Sequence, residues 1–397
     1  MENRLIPTSI AEITTDWLNG ALSKSGVLKN NSIRTLDRNI IGEGKGYVGT
    51  LARLSIEYEQ PDNTLPATMI AKIPTQVQKS KLLLEAFWNY ERENRMYEEI
   101  LPHLPLRTPK CYYSDFDQGK GEKWMNRVYG RYASLPQSLV GLYFLYAGFR
   151  NLRMKRRYIL LLEDINNIEQ ITHLEGCSLE DAKMVMRPLG IAHASLWDSP
   201  QLEKYWLKDH GDFSNMMSFL SNRWQPVIKK TYPGKISQKM QTVFDWIKKN
   251  NNQLDAYSKT RPHTLIHEDF RLDNIFFDRQ KNQIVVIDWQ GCCPAMGLFD
   301  PCFFLLNNCN SPLNRKEVEE LITIYHQGLV EGGVSTYSLD ECMSDYPFGL
   351  FLAIRIWLII IGGIEVEKDP NAIRLLGVLL DRMKPVIEGI ELAAIHL

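Results

Sequence analysis

The stretch TLIHEDFRLDNIFFDRQKNQIVVIDWQ, residues 264–290, decides how this chain is read. Two short apolar runs, NIFFD at 274–278 and QIVVID at 283–288, flank the polar turn RQKN. That is the pattern of a two-stranded hairpin. If Asp278 faces Gln283 across the ladder, Asn274 faces Ile287, and Asp288 lies one residue beyond that pair. The hairpin therefore carries an amide and a carboxylate to the same end. Two hard oxygen donors side by side suit Mg²⁺, with water and phosphate filling its other positions. Asp269 stands five residues before Asn274, in a loop opened by His267. A carboxylate there is placed to orient a hydroxyl and take its proton.

Working towards the N-terminus, apolar spacing predicts a helix within 8–24, with Ile10, Ile13, Trp17 and Leu22 on one side. From 33 to 73 the period changes to two. Leu54, Ile56 and Tyr58 alternate with Ser55 and Glu57, and after the turn EQPDNTLP the run ATMIAKI reads as a further strand. Lys72 falls on the same strand face as Thr68 and Ile70. Residues 80–101 read as one helix with Leu83, Phe87, Tyr90, Tyr97 and Leu101 in a stripe; Glu93 lies at one edge and Glu91 at the other. TPKCYYSDF (108–116) and RYILLLED (157–164) read as strands. Beyond Asp164 the spacing is mainly helical, over 178–198, 213–230, 235–256, 313–331 and 347–361. The fold class expected is α+β and two-lobed: a sheet-rich lobe at 1–163 with one main helix, then a larger helical lobe at 164–397.

The spacing H-x-D-x-x-x-x-N, with a strand ending in Asp, is a kinase arrangement. HEDFRLDN, IDWQ and the downstream GLFDPCFFL resemble the aminoglycoside phosphotransferase and choline kinase superfamily, whose fold is protein-kinase-like. Neither D-F-G nor a later A-P-E is found. GEGKGYVGTLARLSIEY together with IDWQ is most similar to the ecdysteroid-kinase-like phosphotransferases, and the resemblance covers roughly residues 33–310. It implies an ATP-dependent transfer of the γ-phosphate to a small-molecule hydroxyl: an aminoglycoside-, choline-, sterol- or lipid-like alcohol. It gives Asp269 the role of catalytic base and makes Asn274 and Asp288 the Mg²⁺ ligands. It assigns Lys72 to the nucleotide phosphates, Glu93 to its helix partner, and the loop of Gly42, Gly44 and Gly46 to the phosphate cover. Glu163, in LLLED, belongs to the hinge that meets adenine, and Asp300 to a brace under the catalytic loop. Where the family commonly has His-Gly-Asp, this chain has His267-Glu268-Asp269. Glu268 either sets a second negative charge beside Asp269 or points to solvent. The other reading of the whole pattern is a nucleotide-binding pseudokinase that works as an interaction module.

Two histidines read as structural: His267 as a hydrogen-bonded post of its loop, and His193, in LGIAHASLW, as a core residue. Asp273 is open between a solvated loop acid and a substrate contact. The stretch 118–156 is too long for a plain loop. SLVGLYFLYAGF followed by RNLRMKRR suits a helical hairpin packed on the body, a lid over the cleft, or peripheral contact with a membrane surface through 139–157. The apolar runs 139–149 and 356–364 are shorter than the roughly 20 residues of a spanning helix, so no transmembrane segment is expected. Net charge is −1, without the basic excess of a nucleic-acid binder. Seven scattered cysteines with no C-x-x-C, and no signal-like start, point to a reducing, cytoplasmic setting.

Overall fold

The computed structural model describes residues 5–41, 49–363 and 370–395. The period-two segments build a five-stranded sheet from β1 (Ile33–Ile41), β2 (Gly49–Tyr58), β3 (Thr68–Pro74), β4 (Cys111–Phe116) and β5 (Tyr158–Glu163). Its order is β1-β2-β3-β5-β4, antiparallel throughout. One face buries Leu54, Ile56, Met69, Ala71 and Ile73 against Ile13, Leu18 and Leu22. The last two belong to α1 (Thr15–Lys24), whose N-terminus is capped by the Thr14 hydroxyl accepting from Trp17 N. On β5, Ile159 and Leu161 join this layer while Leu160 and Leu162 face the main core. A strand covered on both sides explains why its sequence is apolar without alternation.

The helix expected over 80–101 is in fact broken. α2 (Gln78–Ala86) ends, Trp88 takes the left-handed region at φ 55°, and α3 (Asn89–Arg95) starts afresh before a π turn at Met96–Ile100. The Trp88 ring is 1% exposed and packs on Tyr129 with centroids 5.6 Å apart. Burial of an indole, worth a few kcal/mol, offsets the roughly 1–2 kcal/mol of a left-handed non-glycine. The periodicity is undisturbed by this break, so the stripe gave no sign of it.

Of the three readings of 118–156, the structure contains the helical hairpin: α4 (Glu122–Ser134) and α5 (Gln137–Leu152), packed on α2 and on α7 (Ser214–Thr231). The remaining helices are α6 (Leu179–Ala194), α8 (Gln238–Lys249), α9 (Asn251–Lys259), α10 (Phe299–Asn307), α11 (Arg315–Glu331), α12 (Leu339–Gly363) and α13 (Pro370–Glu388). The single helix expected over 235–256 is α8 and α9, divided at Asn250. Two small sheets serve the site: β6 (Glu169–Gln170) with β8 (Ile275–Asp278) and β9 (Gln283–Val286), and β7 (His263–Ile266) with β10 (Cys293–Met296). A small antiparallel sheet ahead of a mostly helical body is the two-lobed α+β architecture expected.

α6 and α11 cross where Gly190 meets Gly328; a Cβ on Gly190 would lie 2.2 Å from Tyr325 O and 3.0 Å from Gly328 Cα. α12 corrects the expectation for 347–361: it is 25 residues long and, by length and composition, apolar enough to cross a membrane. Most of that length is nonetheless buried against α7 and α10. Its buried Arg355 donates to Asp255 Oδ1 at 2.8 Å. It is the central helix of the helical lobe.

Candidate active site

The hairpin register is the one the turn dictates. Asp278 pairs with Gln283 and Ile275 with Val286, and Ile287 N donates to Asn274 O at 3.0 Å. Asp288 follows with φ 65°, a left-handed turn that swings its carboxylate out of the ladder. Lys72, on the middle strand β3 between Leu51 and Leu160, reaches it across the lobes. Its Nζ donates to Glu93 Oε1 and to Asp288 Oδ1, both at 2.7 Å. Glu93, rather than Glu91, is therefore the partner of Lys72. Glu91 pairs with Arg95 and Arg156 instead.

The three charges set one another. Burial pulls the Lys72 amine down, but Asp288 and Glu93 outweigh it and hold the net shift upward. Burial pushes the Asp288 carboxyl up, yet Lys72 brings it below the ordinary carboxylate value. Glu93, with its side chain only 3% exposed, goes the other way: burial prevails over Lys72 and lifts it to about 7.

Asp269 is held from two sides. Asn274 Nδ2 donates to its backbone O at 2.9 Å and to Oδ2 at 3.0 Å, and Arg271 Nε lies 3.1 Å from Oδ1. The Asn274 amide nitrogen is thus spent on Asp269, which leaves its oxygen as a donor. Among the described residues no three His, Cys, Asp or Glu converge as a metal site. An amide oxygen and a carboxylate fit a hard cation that completes its shell with phosphate and water. Gly42, Gly44 and Gly46 lie outside the described residues.

The loop itself is tied down by buried groups. Asp300, at the start of α10 and wholly buried, accepts from His267 N at 2.6 Å and Glu268 N at 3.1 Å. His193 Nε2 contacts the same carboxylate at 3.2 Å, so this core histidine is part of the brace. His267 Nε2 donates to Ile287 O at 2.9 Å, locking the loop that carries Asp269 to the hairpin. Asp273 accepts from His173 N at 3.0 Å and is 3.6 Å from Arg271. Glu163 donates its N–H to Lys110 O, and its side chain contacts Arg107 at 3.2 Å. A cleft of about 490 Å³ beside Glu163 is lined by Arg107, Glu163, Asp278 and Arg279 and by none of Lys72, Asp269 or Asp288. Its charges are mutually paired, Arg107 with Glu163 and Asp278, Arg279 with Glu169 and Asp181.

Glu268 departs from one of the two readings left open for it. It does not point to solvent: its side chain is three-quarters buried, 3.9 Å from His210 Nε2. Burial raises its acid to about 7 against the pull of Arg92, with Asp269 and Asp300 adding to the rise. Its φ of 70° is a geometry glycine adopts without strain. Arg92, His210 and Arg271 were not singled out from the sequence. Arg271 lies inside the H-x-D-x-x-x-x-N motif, where its charge was a signal. Arg92 is a buried arginine of α3 that donates to Gln290 O at 3.1 Å, joining that helix to the segment after Asp288. No local pattern marks it.

The solved structures similar to this chain share the fold at low identity. A choline kinase of Cryptosporidium parvum is 13% identical, with a TM-score of 0.52 over 94% of this chain and 97% of its own. An ethanolamine kinase of Plasmodium vivax is 12% identical, TM-score 0.52, over 92% and 86%. A putative aminoglycoside phosphotransferase of Ralstonia eutropha is 14% identical, TM-score 0.50, over 94% and 96%. A curated relative, a probable acyl-CoA dehydrogenase of Arabidopsis thaliana, is 31% identical over 163 residues, which is 39% of this chain and only 19% of that protein. The profile of the ecdysteroid kinase-like family matches residues 43–334, about three-quarters of the sequence. The chain belongs to the ecdysteroid kinase-like family.

Proposed function

We propose that this chain transfers the γ-phosphate of ATP to a hydroxyl of a small molecule. The observation that carries the reading is the Lys72 amine, bonded at 2.7 Å to both Glu93 and Asp288, with Asp269 fixed by Asn274 in the adjoining loop. In this reading Lys72 moves from Asp288 onto the nucleotide phosphates while Glu93 keeps it aimed. Gly42, Gly44 and Gly46 cover the phosphates, and the hinge at Glu163 meets the base. Asn274 and Asp288 would hold Mg²⁺, which neutralises phosphate charge when bound. Asp269 accepts the proton of the acceptor hydroxyl, and Arg271 and Asn274 keep its carboxylate in line. Most of the rate would come from positioning and fixed charge. The division into a nucleotide lobe at 1–163 and an acceptor lobe at 164–397, and a cytoplasmic setting, belong to the same proposal.

For the acceptor we favour a sterol- or lipid-like alcohol, in keeping with the family's name. A polycationic aminoglycoside needs several ionised acids around it. The acids beside Asp269 serve this poorly: Glu268 is pushed towards its neutral form, and Asp273 is engaged by His173 N and Arg271. The pseudokinase reading is disfavoured, because none of the polar groups the chemistry needs has been lost from the described residues.

The test is ADP release measured over a panel of sterols, amino alcohols and aminoglycosides. Asp269→Asn and Asp288→Asn should each lower turnover by roughly 10²–10⁴-fold with the fold intact by circular dichroism. Undiminished turnover in either variant would overturn the assignment.

A further inference from the structure

The helical hairpin α4–α5 takes no part in the site, and its outer face is unlike the rest of the surface. Leu139, Leu142, Leu145, Tyr146 and Phe149 are all between 49% and 67% exposed. At 100° per residue they form one stripe along α5. The opposite face is fully used: Val140, Phe144 and Ala147 are buried, and Gly141 and Gly148 admit Phe219 and the Leu82 carbonyl. The stripe is therefore a second apolar face on an already packed helix.

The charge around it is one-sided. Residues 118–155 hold seven bases and a single acid, Glu122, in a chain whose net charge is −1. Lys123, Arg127 and Arg131 recur every fourth residue on the exposed side of α4. Burial raises the Tyr143 phenol, and the charges of Arg131 and Arg127 partly offset it. Arg150 stacks over Tyr146, its guanidinium carbon 5.9 Å from the ring centroid, and Arg153 falls in line with Leu142 and Phe149 at the C-terminal end. Of the five bases that end this stretch in the sequence, Arg156 and Arg157 are spent on Glu85, Glu91 and Asp117. Arg150, Arg153 and Lys155 remain exposed.

We propose that this face docks on a membrane surface bearing anionic headgroups, α5 lying in the plane of the interface and the bases of α4 and of the α5 C-terminus meeting the phosphates. An apolar stripe rimmed by unopposed positive charge is complementary to an anionic lipid surface. A second copy of the chain is a poor occupant, because it would bring two clusters of like charge together.

The test uses the full chain and sedimentation with vesicles of phosphatidylcholine alone or mixed with phosphatidylserine. Binding is expected to the mixed vesicles only, and to fall as salt is raised. Arg150→Ala with Arg153→Ala should weaken it roughly 30-fold, at about fivefold per base. Leu142→Ser with Phe149→Ser should abolish retention at low salt. All four positions are exposed, so thermal unfolding and ATP consumption should match the parent chain. Equal binding to both vesicle types, no binding, or unchanged binding by the variants would overturn the proposal. So would a dimer dispersed by Leu142→Ser in a chain that ignores vesicles, which would make this face an interface between copies.

Discussion

Glu268 occupies a left-handed backbone position between two residues the loop depends on, and its acid is raised to about 7 by burial. Both features cost stability, and glycine removes both. Glu268→Gly should gain about 1 kcal/mol from the backbone alone, because a non-glycine left-handed residue costs roughly that much. The acid adds a pH dependence of known sign. Below the unfolded value near 4.5 the carboxyl is protonated in both states and costs nothing; as pH rises to about 7 the folded protein loses stability relative to the unfolded chain. The gain from Glu268→Gly should accordingly be larger at pH 8 than at pH 5 in thermal melts. An equal gain at both pH values would mean that the buried acid contributes nothing. Glu93 behaves likewise but is committed to Lys72, so it is not free to be replaced without disturbing the site.

At the scale of elements, the helical body rests on the α6–α11 crossing, where backbone meets backbone. A methyl group at Gly190 would stand 2.2 Å from Tyr325 O, and one at Gly328 2.3 Å from Arg187 O. Backbone cannot step aside as a side chain can, so the helices must separate. Gly190→Ala should cost about 1–3 kcal/mol or more, measured by denaturant unfolding with an unchanged m-value. Separation would also tilt α6, which carries His193 and, through it, the Asp300 brace. A Gly190→Ala protein of parental stability would show that this contact is looser than the structure has it. The break at Trp88 is an element-scale feature too: it lets α3 approach the sheet independently of α2, so that Glu93 meets Lys72 while Arg92 reaches Gln290.

Across the whole molecule, several ion pairs join the sheet lobe to the helical body, among them Lys72 with Asp288, Arg107 with Asp278 and Glu99 with Lys204. A nucleotide seated between them would add contacts to both. Mg-ATP in 100-fold excess over its Kd should stabilise the chain by about 2.7 kcal/mol, seen as a rise in Tm. Lys72→Met should remove most of that rise while the unliganded Tm changes less, because Glu93, already lifted to about 7, can take up a proton when its partner is gone. A full Mg-ATP shift in Lys72→Met would place the nucleotide elsewhere. The hairpin α4–α5 belongs to this scale as well, since it bridges α2 and α7 while presenting its own outer face.

From the sequence alone come those features that repeat at short range. The hairpin register follows from a four-residue turn, and with it the placement of Asn274 and Asp288 at the same end of the hairpin; the strand alternation around Lys72 and the helical periods beyond Asp164 are equally local. The choice of Glu93 over Glu91 was legible only in part, because both stand at edges of one stripe. Tertiary structure decided the rest. Trp88 turns left-handed because a distant residue, Tyr129, completes its pocket. Glu268 is buried beside His210, which arrives from far away in the chain, and that burial raises its acid against the pull of Arg92. α12 is a core helix rather than a spanning one because other helices cover it and Asp255 meets Arg355. Periodicity is a property of neighbours along the chain, whereas burial, charge pairing and strain depend on which segments share a volume. That is why the hairpin and the loop before it could be read in advance and their surroundings could not.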